Sequence, residues 1–207
     1  MPATRHLLAL GLVALAIGSG ASSPYASLTR FDKQVQVRLT GTANWAGGKS
    51  GLLLGQGDTV RTGSQGRAEV SYTDGTVARL GPKSLLVLDQ HRRSLGRAGW
   101  GRFLGGQVWL KIAKGSRAEV STPAAVASVV GTEFVLDVSE TSHTKIIVLD
   151  GGVDFTGSLG DTVRVNGGFW GEAVPGKKVN PPQPVNDAAI QFAKGVGAPL
   201  PESPANP

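Results

Sequence analysis

Residues 117–155 constrain the fold more than any other part of the chain, because apolar and polar side chains alternate there in three runs. Ala118, Val120 and Thr122 form the first, Phe134, Leu136 and Val138 the second, and Ile146 and Val148, followed by Val153 and Phe155, the third. Alternation with period two puts one set of side chains on one face, so each run reads as a half-buried β-strand. The breaks are equally informative. Pro123 has no N–H to donate, so a strand ends or reaches an edge at Thr122-Pro123. Gly131-Thr132 opens the next strand, and Asp150-Gly151-Gly152 is a turn in which positive φ is cheap. The expectation is a compact β meander with nothing catalytic in it.

The rest of the chain agrees. Val35, Val37 and Leu39 alternate as a first strand, and Ala68, Val70 and Tyr72 as another, followed after Asp74-Gly75 by Thr76–Leu80. Asp-Gly between two β runs predicts a two-residue type I′ hairpin. Ser84–Leu88 is an apolar run expected to be buried on both faces, Gln107–Ile112 restores alternation, and 162–165 and 169–174 read as closing strands. Trp45, in the glycine-rich 41–51 loop, reads as a lid on the core. With 30 glycines in 207 residues, many turns are favoured over long helices. The class is therefore all-β, a single compact domain of short antiparallel strands arranged as a sandwich, a rolled sheet or a short β-helix. Two five-residue strings recur, Arg67–Ser71 at 117–121 and Gly57–Arg61 at 160–164, which suggests stacked strand-turn units. Shared β vocabulary explains them as well.

The ends differ in character. Arg5 and His6, the apolar run 7–18 and the small residues Ser19-Gly20-Ala21 have the layout of a secretory signal, with cleavage expected after Ala21 or Ala26. A dozen apolar residues fall short of the roughly 20 needed to span a bilayer. Residues 180–207 read as a proline-rich linker, a short helix from Asn186 to about Lys194, and a disordered tail from Pro199. There is no cysteine, which removes disulfides, thiolate metal sites and lipoprotein-type attachment. The product is expected to be periplasmic or secreted.

Catalytic chemistry finds little support. Once the signal is removed, His91 and His143 remain, in no metal-ligand spacing. There is no Gly-x-Ser-x-Gly elbow, and Gly48-Lys49-Ser50 lacks the earlier glycine of a phosphate loop, Ala43 standing in its place. The chain is read as a non-enzyme without cofactor or metal. The most chemically loaded stretch is 89–106, where Arg92, Arg93, Arg97 and Arg102 surround Trp100 in a glycine-punctuated loop. With a net charge of +6, these five residues are the candidate contact for a partner or an anionic ligand. The alternative is a solvated loop. Export argues against nucleic acid.

Several segments in order resemble the FecR domain, a periplasmic module named after an iron-dicitrate sensor. They are Gly57-Asp58-Thr59-Val60-Arg61-Thr62-Gly63, then Asp74-Gly75-Thr76, then Thr122-Pro123, Gly131-Thr132-Glu133-Phe134-Val135 and a strand pair closed by Gly151 ahead of Val153-Asp154-Phe155. The likeness runs from about Phe31 to Val179, and its motif residues, Gly57, Asp58, Asp74, Gly75, Pro123, Gly131, Thr132 and Gly151, are taken as structural. The resemblance implies a non-catalytic envelope module for signal sensing or protein docking. The anti-sigma region, membrane helix and transporter-facing segment of the iron sensors are not visible here. The alternatives are a module that binds envelope polysaccharide, peptidoglycan or anionic lipid through 91–102, and a purely structural envelope protein.

Overall fold

A computed structural model describes residues 24–89, 92–93 and 97–201, with 92–93 and 97–99 described by backbone alone. The apolar stretch read as a signal, His91 and the last six residues lie outside the described residues.

The described chain begins with β1 (Ala26–Asp32), β2 (Val35–Arg38), β3 (Ala46–Gly47) and β4 (Leu52–Leu54). It continues through β5 (Thr59–Thr62), β6 (Arg67–Tyr72), β7 (Val77–Leu80), β8 (Leu85–Leu88), β9 (Arg92–Arg93) and the long β10 (Arg97–Lys111). Then come β11 (Arg117–Ser121), β12 (Ala125–Val130), β13 (Glu133–Val138), β14 (Thr144–Asp150), β15 (Gly152–Gly157), β16 (Thr162–Asn166), β17 (Phe169–Ala173), β18 (Gln183–Pro184) and helix α1 (Asp187–Gly197). The all-β reading holds, and the arrangement is a two-sheet sandwich. One sheet runs β4-β1-β6-β7-β10-β13-β14-β17-β18. The other runs β3-β2-β5-β8-β10-β11-β12-β15-β16. Their inner faces meet in one buried cluster, with Leu28, Leu80, Leu110, Phe134 and Ile146 from the first and Val60, Leu86, Phe103, Val120 and Phe155 from the second.

β10 belongs to both sheets. Its residues 101–105 pair with β8 and residues 108–111 with β7. A strand that changes sheets needs a sharp local bend, and Gly106, at φ +83°, supplies it. Ser84 holds the bend from the side: its Oγ donates to the Gln107 carbonyl at 2.8 Å and accepts from the Gln107 N–H at 3.0 Å.

The order of pairing is duplicated. In the first half β2 pairs β5, β5 pairs β8, β1 pairs β6 and β6 pairs β7. In the second, β11 pairs β12, β12 pairs β15, β10 pairs β13 and β13 pairs β14. The continuation is also shared, because β10 lies beside β8 and β7 as β16 and β17 lie beside β15 and β14. Matching threonines lock both halves. Thr62 Oγ1 donates to the Gly81 carbonyl at 2.7 Å, and Thr132 Oγ1 lies 3.1 Å from that of Gly152, each glycine at the crossing between sheets. The stacked-unit expectation is met, but the recurring pentapeptides do not mark it. Arg67–Ser71 falls in β6 and Arg117–Ser121 in β11, which are not equivalent strands.

Other details differ from the sequence reading. The 117–155 stretch is no simple meander: it passes from one sheet to the other between β12 and β13 and back between β14 and β15. The Asp74-Gly75 turn has three residues, since Tyr72 N–H donates to the Thr76 carbonyl at 2.8 Å. Only Gly75 needs positive φ (+88°). Asp74 avoids it, accepting instead from the Thr76 N–H at 2.9 Å. Trp45 is not in the core. It lies half-buried on the outer face of the second sheet, with the Arg61 and Arg38 guanidiniums 3.9 and 5.0 Å from its ring centre.

The C-terminal helix is docked rather than loose. Asn186 caps it, accepting from the Ala189 N–H at 2.9 Å. Its buried Ala193 and Val196 pack with Phe192 over Trp109, Val135 and Ile147 on the outer face of the first sheet. Arg67 donates to the carbonyls of Gly195 and Val196, both at 3.0 Å, and Arg79 donates to that of Gly197. Two cations on the last carbonyls oppose the negative end of the helix. Leu200, expected in the disordered tail, is buried. Ending the chain at Val185 is expected to uncover this apolar face and to raise the fluorescence of a hydrophobic dye several-fold, with the core sandwich retained by circular dichroism.

Candidate functional site

The five residues singled out in the sequence separate in the structure. Arg93 and Arg97, and Arg92 and Ala98, face each other across a β9–β10 hairpin, so what reads as a loop is paired backbone. The side chains of Arg92, Arg93 and Arg97 lie outside the described residues. Trp100 corrects the reading. It is 6% exposed, and its ring stacks on Tyr72 with centres 4.4 Å apart. It cannot also offer a face to a ligand. Arg102 is half-exposed, 3.6 Å from Asp89. That carboxylate, at the first position of the 89–106 stretch, is pinned by Gln56 Nε2 at 2.6 Å.

The motif residues hold turns. Buried Asp58 accepts the Thr40 N–H on Oδ1 and the Gly55 N–H on Oδ2, both at 2.7 Å. Gly57, at φ +82°, lets the backbone pass so close to Thr40 that an added Cβ would stand 2.5 Å from its Oγ1. Pro123 sits in a tight β11–β12 turn bracketed by Thr122, whose N–H donates to the Ala125 carbonyl at 2.8 Å. Gly131 and Gly151 both take positive φ, at +57° and +82°, on either side of buried Thr132. These carboxylates and hydroxyls have structural partners, and among the described residues no three His, Asp or Glu side chains gather as a metal site.

Three surface features remain. A cavity of about 300 Å³ opens between α1 and β13, β14 and β17, walled by Trp170 and Phe192 with Asp137, Lys145 and Asn186 as its polar lining. Lys145 lies opposite Asp137 across the β13–β14 ladder and 4.0 Å from Glu172. Burial pushes the Asp137 carboxyl above its ordinary value, against the opposing pull of Lys145 and a hydrogen bond from Gln107. A raised pKa means that the folded state disfavours the carboxylate, so stability falls as pH rises from about 3.8 through the elevated value. Asp137→Asn is therefore expected to be more stable than the native chain at pH 7 and indistinguishable from it at pH 3, by urea denaturation at each pH.

On the second sheet, the outer face carries mixed charge. Arg164 donates to Asp154 at 2.8 Å, and both are about half-exposed. Arg117, Glu119 and Ser128 complete a shallow polar groove of about 270 Å³. The third feature is the side of β16 away from β15, along which no strand among the described residues pairs. Sequence reasoning missed it, because which strand ends a sheet depends on pairing between distant segments.

Residues 58–154 match the family model described as FecR protein. The motif resemblance thus holds across the middle of the chain, where residues 58–154 are similar to the FecR domain. Two crystal structures of a proposed anti-sigma factor from Parabacteroides distasonis share the fold, with TM-scores of 0.55 and 0.54 at 14% identity. Each match covers 64% of this chain and 62% of that one, so the present chain spans under two thirds of its structural relative. No curated protein matches in sequence. No helix among the described residues is long and apolar enough to cross a membrane.

Proposed function

We propose that this protein is a non-catalytic signalling module of the cell envelope that works by docking another protein. The observation that carries this reading is the role of the FecR motif residues. Asp58, Asp74, Thr132 and the motif glycines all hold turns or sheet crossings, so what the domain presents outward is strand edge and sheet face rather than reacting groups. The domain match and the fold shared with a proposed anti-sigma factor point the same way. An export signal ending at Ala21 fits the first strand. Cleavage after Ala26 would remove that buried residue and Tyr25, whose N–H donates to the Leu54 carbonyl at 3.1 Å.

Cross-linking the tagged protein in intact cells tests the reading. The expected product is a discrete adduct with an envelope protein, equally abundant when Arg92, Arg93, Arg97 and Arg102 are all glutamine. Retention of glycan or anionic lipid alone, lost in that variant and weakened by salt, would overturn it in favour of a polyanion-binding role.

A further inference from the structure

We propose that the outer face of the second sheet around Trp45, Arg38 and Arg61 docks an extended acidic segment of the partner protein, one that carries carboxylates at alternate residues. This rests on the protein-docking reading above and names the surface and the kind of partner.

The register brings the three side chains together. In the β2–β5 ladder Gln36 lies opposite Arg61 and Arg38 opposite Thr59, so Arg38 and Arg61 are diagonal neighbours on one face. On the other side of β2, β3 sets Ala46 beside Val37 and Gly47 beside Gln36, and Trp45 directly precedes it. The indole reaches both guanidiniums, with Arg61 3.9 Å and Arg38 5.0 Å from its ring centre. A guanidinium that stacks by its flat face keeps the N–H groups along its edge for a carboxylate. Arg61 is further fixed by its Nε–H, which donates to Gln36 Oε1 at 2.9 Å. Its fork is oriented before any partner arrives.

No acid balances this pair. Among the described residues neither Arg38 nor Arg61 forms an ion pair. Asp58, three residues before Arg61, is buried with both oxygens on backbone N–H groups. A groove of about 590 Å³ adjoins Arg61, lined by Lys33, Gln34, Gln36, Gly48 and Thr62 among others, and no acid is among its lining residues. The other half of the sheet differs, because there Arg164 pairs with Asp154 and Arg117 shares its groove with Glu119. Two like charges gathered on one ring repel each other in the free protein, and a carboxylate arriving from outside relieves that repulsion.

The spacing selects the occupant. Diagonal positions on neighbouring strands lie about 7–8 Å apart, and alternate residues of an extended chain lie about 6.6–6.8 Å apart on one face. Two carboxylates separated by one residue therefore meet Arg38 and Arg61 together, whereas adjacent acids point to opposite faces. Within these 207 residues no two acidic residues stand two positions apart. This sequence does not supply such a segment, so the occupant comes from a different protein. Because Arg61 stacks on Trp45, the indole positions the cation rather than offering its face to a sugar ring, which favours a protein over a glycan.

The probe is a synthetic peptide, acetyl-Ser-Thr-Glu-Val-Glu-Thr-Ser-amide, titrated into the isotope-labelled protein by NMR. Shifts are expected to centre on the Trp45 indole N–H and on Gln36, Gly47 and Arg61, and to shrink with added salt. Arg61→Gln should weaken binding about tenfold and the more exposed Arg38→Gln about threefold, while Arg164→Gln, on the far half of the sheet, should bind as the native chain does. On the native protein, which covers the case of an arginine variant that does not fold, the peptide with both glutamates changed to glutamine should bind at least about tenfold more weakly. The peptide with its two glutamates adjacent keeps the charge and should bind about threefold more weakly. Shifts centred elsewhere, native affinity in both arginine variants, or equal binding of either control peptide would overturn the inference. So would phosphatidylglycerol vesicles or polygalacturonate that bind more tightly than the peptide and are lost in the double variant Arg38→Gln and Arg61→Gln, which would assign the face to a lipid or glycan polyanion. Repeating the cellular cross-linking with that double variant separates the two claims: an adduct that persists leaves docking intact and refutes this face. A native chain without any protein adduct refutes docking, while the peptide titration still decides the face. A homodimer lost in the double variant would assign the face to a second copy and refute the partner proposed.

Discussion

Gly106→Ala is expected to lower the unfolding free energy by about 3 kcal/mol, measured as a shift of the urea midpoint at unchanged slope. Two effects add. Position 106 sits at φ +83°, where any residue with a Cβ is strained by about 1–2 kcal/mol. The added methyl would also stand 2.6 Å from both the Lys83 carbonyl oxygen and the Ser84 Cα, which are backbone atoms that cannot swing aside. The consequence reaches beyond one turn, because β10 is the strand through which the two sheets are continuous. Gly105→Ala, one residue earlier with nothing within 4 Å of its Cβ, is the control and should cost under about 1 kcal/mol. Equal effects at 105 and 106 would mean that the bend is not where the chain changes sheets.

Trp100→Ala should be costlier still, about 3–5 kcal/mol, as for other buried aromatic side chains truncated in a core. Trp100 shares the core with Tyr72, and its loss leaves a hole between the sheets. Arg102→Gln should change stability by less than about 1 kcal/mol, because its Asp89 pair is half-exposed. The contrast between the two variants separates core from surface within a stretch whose sequence looks like one functional unit. A Trp100→Ala protein of native stability would restore the tryptophan as a surface contact.

Local periodicity in the sequence carried much of this fold. The alternation of Ala68, Val70 and Tyr72, of Phe134, Leu136 and Val138, and of Val153 and Phe155 places each residue on the inner face where it is found. The Asn186 cap likewise marks the start of α1. What local pattern does not carry is the choice of neighbours. Strand β12, Ala-Val-Ala-Ser-Val-Val, has small inward residues and follows a proline turn, so it stands out little until β11 and β15 flank it. Strand β1 adjoins the apolar N-terminal segment and was hidden by the signal reading. The glycines at 96, 99, 101, 105 and 106 made residues 89–106 look like a loop. Ladders supplied by Leu85–Leu88 and Val77–Leu80 make the described part of it a strand. The candidate edge was invisible for the same reason: Thr-Val-Arg-Val-Asn reads as any closing strand, and only the pairing order shows that, among the described residues, no strand pairs beyond it.

The measurement closest to the central claim is residue-resolved amide hydrogen exchange on the isolated protein, along β16 and its equivalent in β10. Slow exchange at Val163 and Val165 with fast exchange at Arg164 and Asn166, and slow exchange at Gly101 and Phe103, whose N–H groups face β11, is the expected result. Slow exchange at all of 163–166 in the isolated protein would contradict it, because the edge would then already be filled.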